Sequence, residues 1–150
     1  MHIGHINLAK SFNGAGDHFV GLLEALQEHG VQQHVLVGNI ALAKRLDLLD
    51  QVSVGPVVRS AVMAYCLMPA VDVVHIHDPS EGPSGLLLAL TRSIPFVLTH
   101  RDDSFGSNPL AQAVYRRAAG IIYRHDKDAA KHLRIYQHAI ANWRANSRSR

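Results

Sequence analysis

The sequence predicts an α/β fold: a doubly wound, mainly parallel sheet with helices on both faces. Short apolar runs alternate along the whole chain with segments of helical periodicity, as in proteins built from βα units. Runs such as HVLV and FVL are almost wholly apolar, as expected of strands buried on both faces of a sheet. Polar residues collect directly after the apolar runs, where loops leave a parallel sheet and where ligands bind in such folds.

The clearest helix of the first half is the segment 16–30, which repeats apolar residues at helical spacing. Asp17 suits the positive end of its dipole, and Gly30 is expected to cap its carboxyl end. Its apolar face consists of Phe19, Leu22, Leu23 and Leu26. The other predicted elements of this half are strands at 2–7 and 33–38, a helix at 41–50, a strand or edge segment at 51–58, and a helix at 60–68.

Proline and glycine mark the helices of the second half. Pro69 stops the preceding helix, Pro83 and Pro109 stand in the first turns of two others, and Gly120 ends one of them. The predicted elements are strands at 71–77, 95–100 and 120–125, and helices at 83–93, 109–120 and 126–143.

Size and composition predict a single domain at residues 1–143, followed by a basic, disordered tail at 144–150. The chain has 150 residues, enough to bury a core, and its 47% hydrophobic and 18% charged residues argue against disorder. Cys66 is the one cysteine, which excludes an intramolecular disulfide and favours a cytoplasmic location. The first residues do not resemble a signal peptide, and no apolar run approaches the roughly 18 residues that span a bilayer.

The loop at 7–18, NLAKSFNGAGDH, is the first candidate for binding. Gly14 and Gly16 allow the backbone to approach a ligand, and the helix that follows offers free N–H groups and a positive dipole end. This favours a phosphate or pyrophosphate. The pattern is neither a complete GxGxxG nor a Walker loop, so a glycine-rich turn without a ligand is an equal alternative.

The strand VDVVHIH carries the second candidate. With strand periodicity His75 and His77 share one face, and such a pair can chelate zinc if a third ligand comes from elsewhere. His100 or His125 could supply it, but nothing in the sequence requires it. We expect His75 to be a hydrogen-bonded core histidine, and His77 with Asp78 to lie at the mouth of a site.

The third candidate is the loop THRDDSFGSNP at 99–109. His100 and Arg101 could act as a base and an anion clamp, and Asp102 and Asp103 could pair with that arginine or contact hydroxyl groups. A solvated loop capped by its own aspartates is the alternative.

Three stretches, in this order, resemble the retaining family-4 glycosyltransferases of the GT-B fold. MHIGHINLAKSFNGAGDHFVGLLEALQEHGVQQHVLVG is similar to their first strand, Gly-Gly turn, long helix and short second strand. VDVVHIHDPSEGPSGLLLALTRSIPFVLTHRD is similar to their Asp-Val-Val-His-x-His signature, helix and Pro-led strand. AVYRRAAGIIYRHDKDAAKHL resembles the helix, strand and helix that follow. The resemblance covers nearly all of residues 1–135, and it implies a Rossmann-like N-terminal domain that binds mainly the acceptor.

The resemblance also implies a donor-phosphate loop. Aligned on EAL at 24–26, the second glycine of the family's pair falls on Gly14, whose backbone N–H would meet the donor diphosphate. The first falls on Asn13, which still tolerates a tight turn. Ala15 and Gly16 complete the loop, although an acidic residue often stands at the position of Gly16 in the family.

Further site residues follow from the same resemblance. His77 matches the second histidine of the His-x-His signature, near the acceptor, with Asp78 and Asp102 expected on that side. Many members have a catalytic-pocket histidine after the Pro-led strand. Counted without gaps, that position is Arg101, with His100 one residue before it, so both are catalytic candidates.

The implied activity is retaining transfer of a sugar from a nucleotide-sugar to a glycan or lipid-linked acceptor, by positioning and electrostatics. The C-terminal donor-binding domain is absent from these residues, so the chain is expected to be incomplete or inactive alone. Expected partners are the nucleotide-sugar, the acceptor and a donor-binding domain or chain. No nucleic acid, metal or other cofactor is implied.

Trp143 and the basic tail would suit peripheral contact with the inner face of a membrane. Two alternatives to a transferase domain stay open. One is a non-catalytic module that binds a nucleotide or sugar phosphate. The other is a metal-assisted α/β hydrolase built on His75, His77 and His100.

Overall fold

The chain folds around one parallel six-stranded sheet, with strand order β3-β2-β1-β4-β5-β6. This computed structural model describes residues 1–11, 14–100, 108–124, 126 and 128–148. The strands are β1 (His2–Asn7), β2 (Gln32–Val37), β3 (Val52–Val54), β4 (Val73–Ile76), β5 (Phe96–His100) and β6 (Gly120–Tyr123). The helices are α1 (Gly14–Glu28), α2 (Ile40–Leu46), α3 (Ala61–Leu67), α4 (Gly82–Thr91), α5 (Pro109–Arg117) and α6 (Ala129–Arg148). The α/β, Rossmann-like fold predicted from the sequence is confirmed.

Helices cover both faces of the sheet, because the alternating side chains of its central strands are apolar on both. Ile3, Val73 and Val97 pack beneath α1 and α6, and Val35 and Val37 pack with α1 and α2. On the opposite face, α3, α4 and α5 pack over a second set of strand residues. That set consists of Ile6, Leu36, Val74, Ile76, Phe96 and Leu98. The sheet is therefore the middle layer of three.

The chain reverses its direction of winding between β1 and β4. The first three strands are added outward from β1 to β3, and the last three run outward from β4 to β6 on the other side. Loops at the carboxyl ends of β1 and β4 consequently leave toward opposite faces, which opens a crevice between them.

Most predicted boundaries agree with the structure to within a few residues. Gly30, the expected C-cap, has a positive φ of 68°, and residues 51–58 contribute the short edge strand β3. The structure adds a 3₁₀ turn at Pro79–Glu81 that the sequence did not predict. Its N-cap is Asp78, whose carboxylate accepts the Ser80 N–H.

The end of the last helix differs from its prediction. Residues 144–148, expected in a disordered tail, belong to α6, which ends at Arg148 rather than at Trp143. Two contacts hold this end. The Trp143 indole donates to the Ser93 carbonyl at 2.9 Å, and Arg144 pairs with Asp72 at 2.9 Å. Of the described helices, none combines the length and the apolar character needed to cross a bilayer.

Gly85 in α4 offers a test of the close contact between this helix and the sheet. A Cβ added there would lie 2.8 Å from the buried Phe96 ring. We expect Gly85→Ala to lower the free energy of unfolding by about 1–3 kcal/mol through overpacking. Gly21→Ala is the matched control, since nothing lies within 4 Å of an added Cβ in α1. It should raise that free energy by roughly 0.5–1 kcal/mol. Urea unfolding measures both, and equal effects would contradict the packing argument.

Candidate functional site

A cavity of about 420 Å³ lies at the carboxyl edge of the sheet, where the strand order reverses. The end of β1, the first turns of α1 and the end of β4 form its walls. Its lining includes Asn7, Gly16, His18, His75, His77 and Asp78. This is the position at which doubly wound sheets bind their ligands.

The amino-terminal end of α1 forms one wall of this cavity. Gly16 lines it, and Gly14 and Ala15 lie in the first turn of the helix. The first N–H groups of a helix have no partner within it, and its dipole is positive there, so this wall suits an anion. Asn13 of the predicted donor-phosphate loop lies outside the described residues.

Glu81 anchors the loop that follows β1. Its side chain is 4% exposed, and one carboxylate oxygen accepts the backbone N–H of Leu8. On the other side of the loop, Asn39 donates to the Lys10 carbonyl at 2.7 Å. Two neighbouring segments thus hold the loop in position. Sequence reasoning missed Glu81, although Asp78 with Glu81 three residues later has the spacing of a capping box.

His77 and Asp78 both line the cavity, next to the end of β4. The Asp78 carboxylate accepts the Ser80 N–H at 2.9 Å and the Ser80 hydroxyl at 2.7 Å, which fixes the turn that leads into α4. The acceptor role predicted for the two residues stays a prediction. The His77 ring also contacts Phe19 of α1 edge-on, with the ring centroids 4.5 Å apart.

His75 and His77 line the floor of the cavity, and His5 of the adjacent strand packs against both rings without lining it. His5 of β1 and His75 of β4 are registered partners and almost fully buried, at 0% and 1% exposure, while His77 is partly exposed. His5 Nδ1 lies 3.1 Å from His77 Nε2. The rings of His75 and His77 are tilted by 35° with their centroids 3.9 Å apart.

His75 is the hydrogen-bonded core histidine that the sequence predicts. Its Nε2 lies 2.7 Å from the Thr99 hydroxyl, and its Nδ1 lies 2.7 Å from the Tyr136 hydroxyl of α6. Because a neutral imidazole has one N–H and one lone pair, one hydroxyl donates to His75 and the other accepts from it. Burial raises the pKa of Tyr136, so its hydroxyl stays protonated.

Burial keeps these imidazoles neutral. Desolvation, followed by repulsion from His132, lowers the pKa of His5 to about 3. Desolvation and the neighbouring histidines also lower the pKa values of His75 and His77 well below 6.5. His132 is 2% exposed and lines the same cavity, and its pKa is lowered by burial while the Asp126 carboxylate opposes the shift. The floor of the cavity is therefore polar but uncharged at neutral pH.

His100 does not join this cluster. It ends β5 two residues after Leu98, on the face covered by α4 and α5, and its Nδ1 lies 3.0 Å from the Tyr115 hydroxyl. The proposed histidine set of His75, His77 and His100 is therefore wrong as a single metal site, because strand alternation sends His100 to the other face. Arg101, Asp102, Asp103 and His125 lie outside the described residues. The catalytic roles of His100 and Arg101 stay predictions.

The third histidine is His5, which sequence reasoning missed. The signal was present, since in β1 the residues Ile3, His5 and Asn7 alternate onto one face. Using that signal requires knowing that β1 lies beside β4 and in which register. Arg59 and Arg124 were missed for the same reason, because their closeness depends on the strand order. Both are exposed, and they line the cavity from the two outer parts of the sheet.

Comparisons with known proteins support the fold. No family model and no curated protein sequence matches the chain. Among solved structures it is similar to the crystal structure of Anabaena Alr3699/HepE in complex with UDP, with a TM-score of 0.59 and 13% sequence identity. The match covers 95% of this chain and 41% of that one, so the chain spans less than half the length of its structural neighbour. The likeness supports a GT-B-like fold.

The buried histidines predict that the protein loses stability in mild acid. Their folded-state pKa values lie below the unfolded value of 6.5, so the unfolded state binds more protons as pH falls below about 6.5. The free energy of unfolding should fall by about 1.4 kcal/mol per pH unit for each such histidine. Urea unfolding between about pH 7.5 and pH 5 measures this slope. The slope should persist in His138→Gln, an exposed control, and a flat profile would contradict neutral burial.

The hydrogen bond between the Tyr136 hydroxyl and His75 leads to a second prediction about stability. Tyr136→Phe leaves a buried nitrogen of His75 without its partner and should lower the free energy of unfolding by about 1–3 kcal/mol. In the control Tyr65→Phe, the lost contact with Thr91 lies at the surface, where water replaces it, so the change should be below about 0.5 kcal/mol. Comparable losses in the two variants would refute a special role for the buried contact.

Proposed function

We propose that the chain is the acceptor-side domain of a GT-B glycosyltransferase, which transfers a sugar from a nucleotide-sugar to a glycan or lipid-linked acceptor with retention. The observation that carries this proposal is the cavity at the reversal of the strand order, lined by the start of α1 and by His77 at the end of β4. The family resemblance assigns the donor diphosphate to the first wall and the acceptor to the second.

The similarity to a solved structure supports this proposal separately from the sequence resemblance. Alr3699/HepE was crystallised in complex with UDP, the leaving group of transfer from a UDP-sugar. On this chain, the start of α1 at Gly16 would meet the negative charge of such a diphosphate. The exposed guanidinium groups of Arg59 and Arg124 add positive charge at the cavity rim.

On the acceptor wall, His77 is suited to bind a hydroxyl group as a neutral imidazole. Its contact with His5 occupies Nε2, so Nδ1 is the nitrogen that a sugar hydroxyl would meet. Its lowered pKa makes it a weak base, so we assign it to positioning rather than to proton abstraction. Catalysis would then rest on alignment of the acceptor hydroxyl with the donor and on stabilisation of the diphosphate charge.

An apolar fringe around the cavity mouth supports a second, donor-binding domain or chain. Large exposed side chains stand at the amino-terminal ends of α2, α3 and α5 and at the end of β6, all on the carboxyl edge of the sheet. They are Ile40, Val62, Met63, Leu110 and Tyr123. Such a fringe is expected where another domain packs. We therefore expect weak binding and little or no transfer by this chain alone.

Titration with UDP, followed by NMR and calorimetry, tests this proposal. UDP should bind weakly and shift the amide signals of the first α1 turn, and saccharides from a mixed panel should shift the His77 ring signals. Arg59→Ala and Arg124→Ala should each weaken UDP binding by about 5–100-fold, the effect of losing a charged contact of about 1–3 kcal/mol. Arg45→Ala, at the far end of α2, is the matched control and should bind normally.

Two outcomes would count against the proposal. Equal losses in all three arginine variants would show only a general charge effect. Tight UDP binding without any saccharide response at His77 would instead favour a non-catalytic nucleotide-binding module.

A further inference from the structure

We propose that His5, His75 and His77 form a binding site for a divalent transition-metal ion of the Zn²⁺ class at the floor of the cavity. The inference is independent of the proposed transferase function, since it concerns the ligand set alone. A His-x-His pair on one strand is an incomplete site. The pairing of β1 with β4 supplies the third imidazole, which the sequence does not reveal.

The spacing of the nitrogen atoms supports the site. One ring nitrogen from each residue lies within 4.8 Å of the others. His5 Nδ1 and His77 Nε2 are 3.1 Å apart. Two nitrogens bound to one tetrahedral zinc ion at about 2.1 Å lie about 3.4 Å from each other. Small rotations of the two rings would therefore bring both lone pairs onto one ion, which would replace their mutual hydrogen bond.

Burial prepares the ligands chemically. Imidazole binds a metal in its neutral form, and His5 and His75 are almost fully buried, at 0% and 1% exposure, where a charged ring is disfavoured. His5 also has the Gln33 side chain as a neighbouring hydrogen-bond partner, so polar groups surround the cluster on the side away from the cavity. A bound ion would explain why three histidines, rather than apolar residues, occupy these buried positions.

His75 must exchange one of its two hydrogen bonds to bind the ion. Its ring lies between the hydroxyls of Thr99 and Tyr136, at 2.7 Å each. One nitrogen can take the metal while the other keeps its hydroxyl, which then becomes the outer partner that fixes the tautomer and orientation of the ring. Because a hydroxyl lies on each side of the His75 ring, either ring nitrogen could coordinate the ion while the other keeps its hydrogen bond.

The coordination sphere would remain open toward the cavity. His75 and His77 line it, so a fourth position on the ion would face the space that holds a ligand. Three protein ligands with one open position is the arrangement of reactive rather than structural zinc sites. His132 lines the same cavity and lies beside the backbone and carboxylate of Asp126. Its ring centroid lies 6.0 Å from that of His75.

The test uses Co²⁺ and Zn²⁺ with the purified chain. Co²⁺ should produce visible d–d absorption that saturates at one equivalent, and Zn²⁺ should displace it. His77→Gln should weaken binding by about 100-fold or more, since even changes to outer-shell partners cost about 10–100-fold. His138→Gln, which removes an exposed histidine of α6, is the matched control and should bind as the unmodified chain does.

A second measurement keeps the test decisive if His77→Gln unfolds. In the unmodified chain, substoichiometric Co²⁺ should broaden or shift the ring signals of His5, His75 and His77 before those of the surface histidines. Absence of binding, equal losses in His77→Gln and His138→Gln, or perturbation confined to surface histidines would each overturn the site.

Discussion

β1 and β4 pair at the centre of the sheet, and the order of the other strands and the position of the cavity follow from this pairing. It joins the two halves of the chain in parallel register, with Ile3 beside Val73 and His5 beside His75. Because β2 and β5 lie outside this pair, the winding reverses between the two strands and the loops after them diverge. The same pairing therefore creates the cavity, supplies its histidine floor and brings the α1 start opposite the end of β4.

Burial of three histidines beside this pair is a compromise between packing and chemistry. An apolar residue at each position would avoid the desolvation that lowers their pKa values. Two hydroxyls satisfy His75, and His5 and His77 satisfy each other in part. Such clusters are common at functional sites, where a specific set of polar groups must be held in a dry environment. Burial of these histidines therefore both lowers the stability of the fold and provides the polar groups with which the cavity can bind a ligand.

The walls of the cavity are fixed by contacts between segments that are distant in sequence. Glu81 holds the loop after β1 through Leu8, 73 residues away. Tyr136 holds His75 across 61 residues. At the opposite edge of the sheet, away from the cavity, Ser93 and Asp72 hold the α6 end that carries Trp143 and Arg144. A ligand bound in the cavity would thus contact elements drawn from most of the chain.

Local sequence patterns were enough to predict the α/β class, nearly all of the helices and strands, the edge of the sheet that carries polar residues and the core position of His75. These depend on local periodicity and on turn residues, which act over a few positions. The folded chain was needed to see that His5 joins His75 and His77, that His100 turns away and that Glu81 supports the first loop. Those relations depend on which strands are neighbours and in which register. Pairing between distant segments is not encoded in any local pattern, because it follows from the packing of the whole sheet.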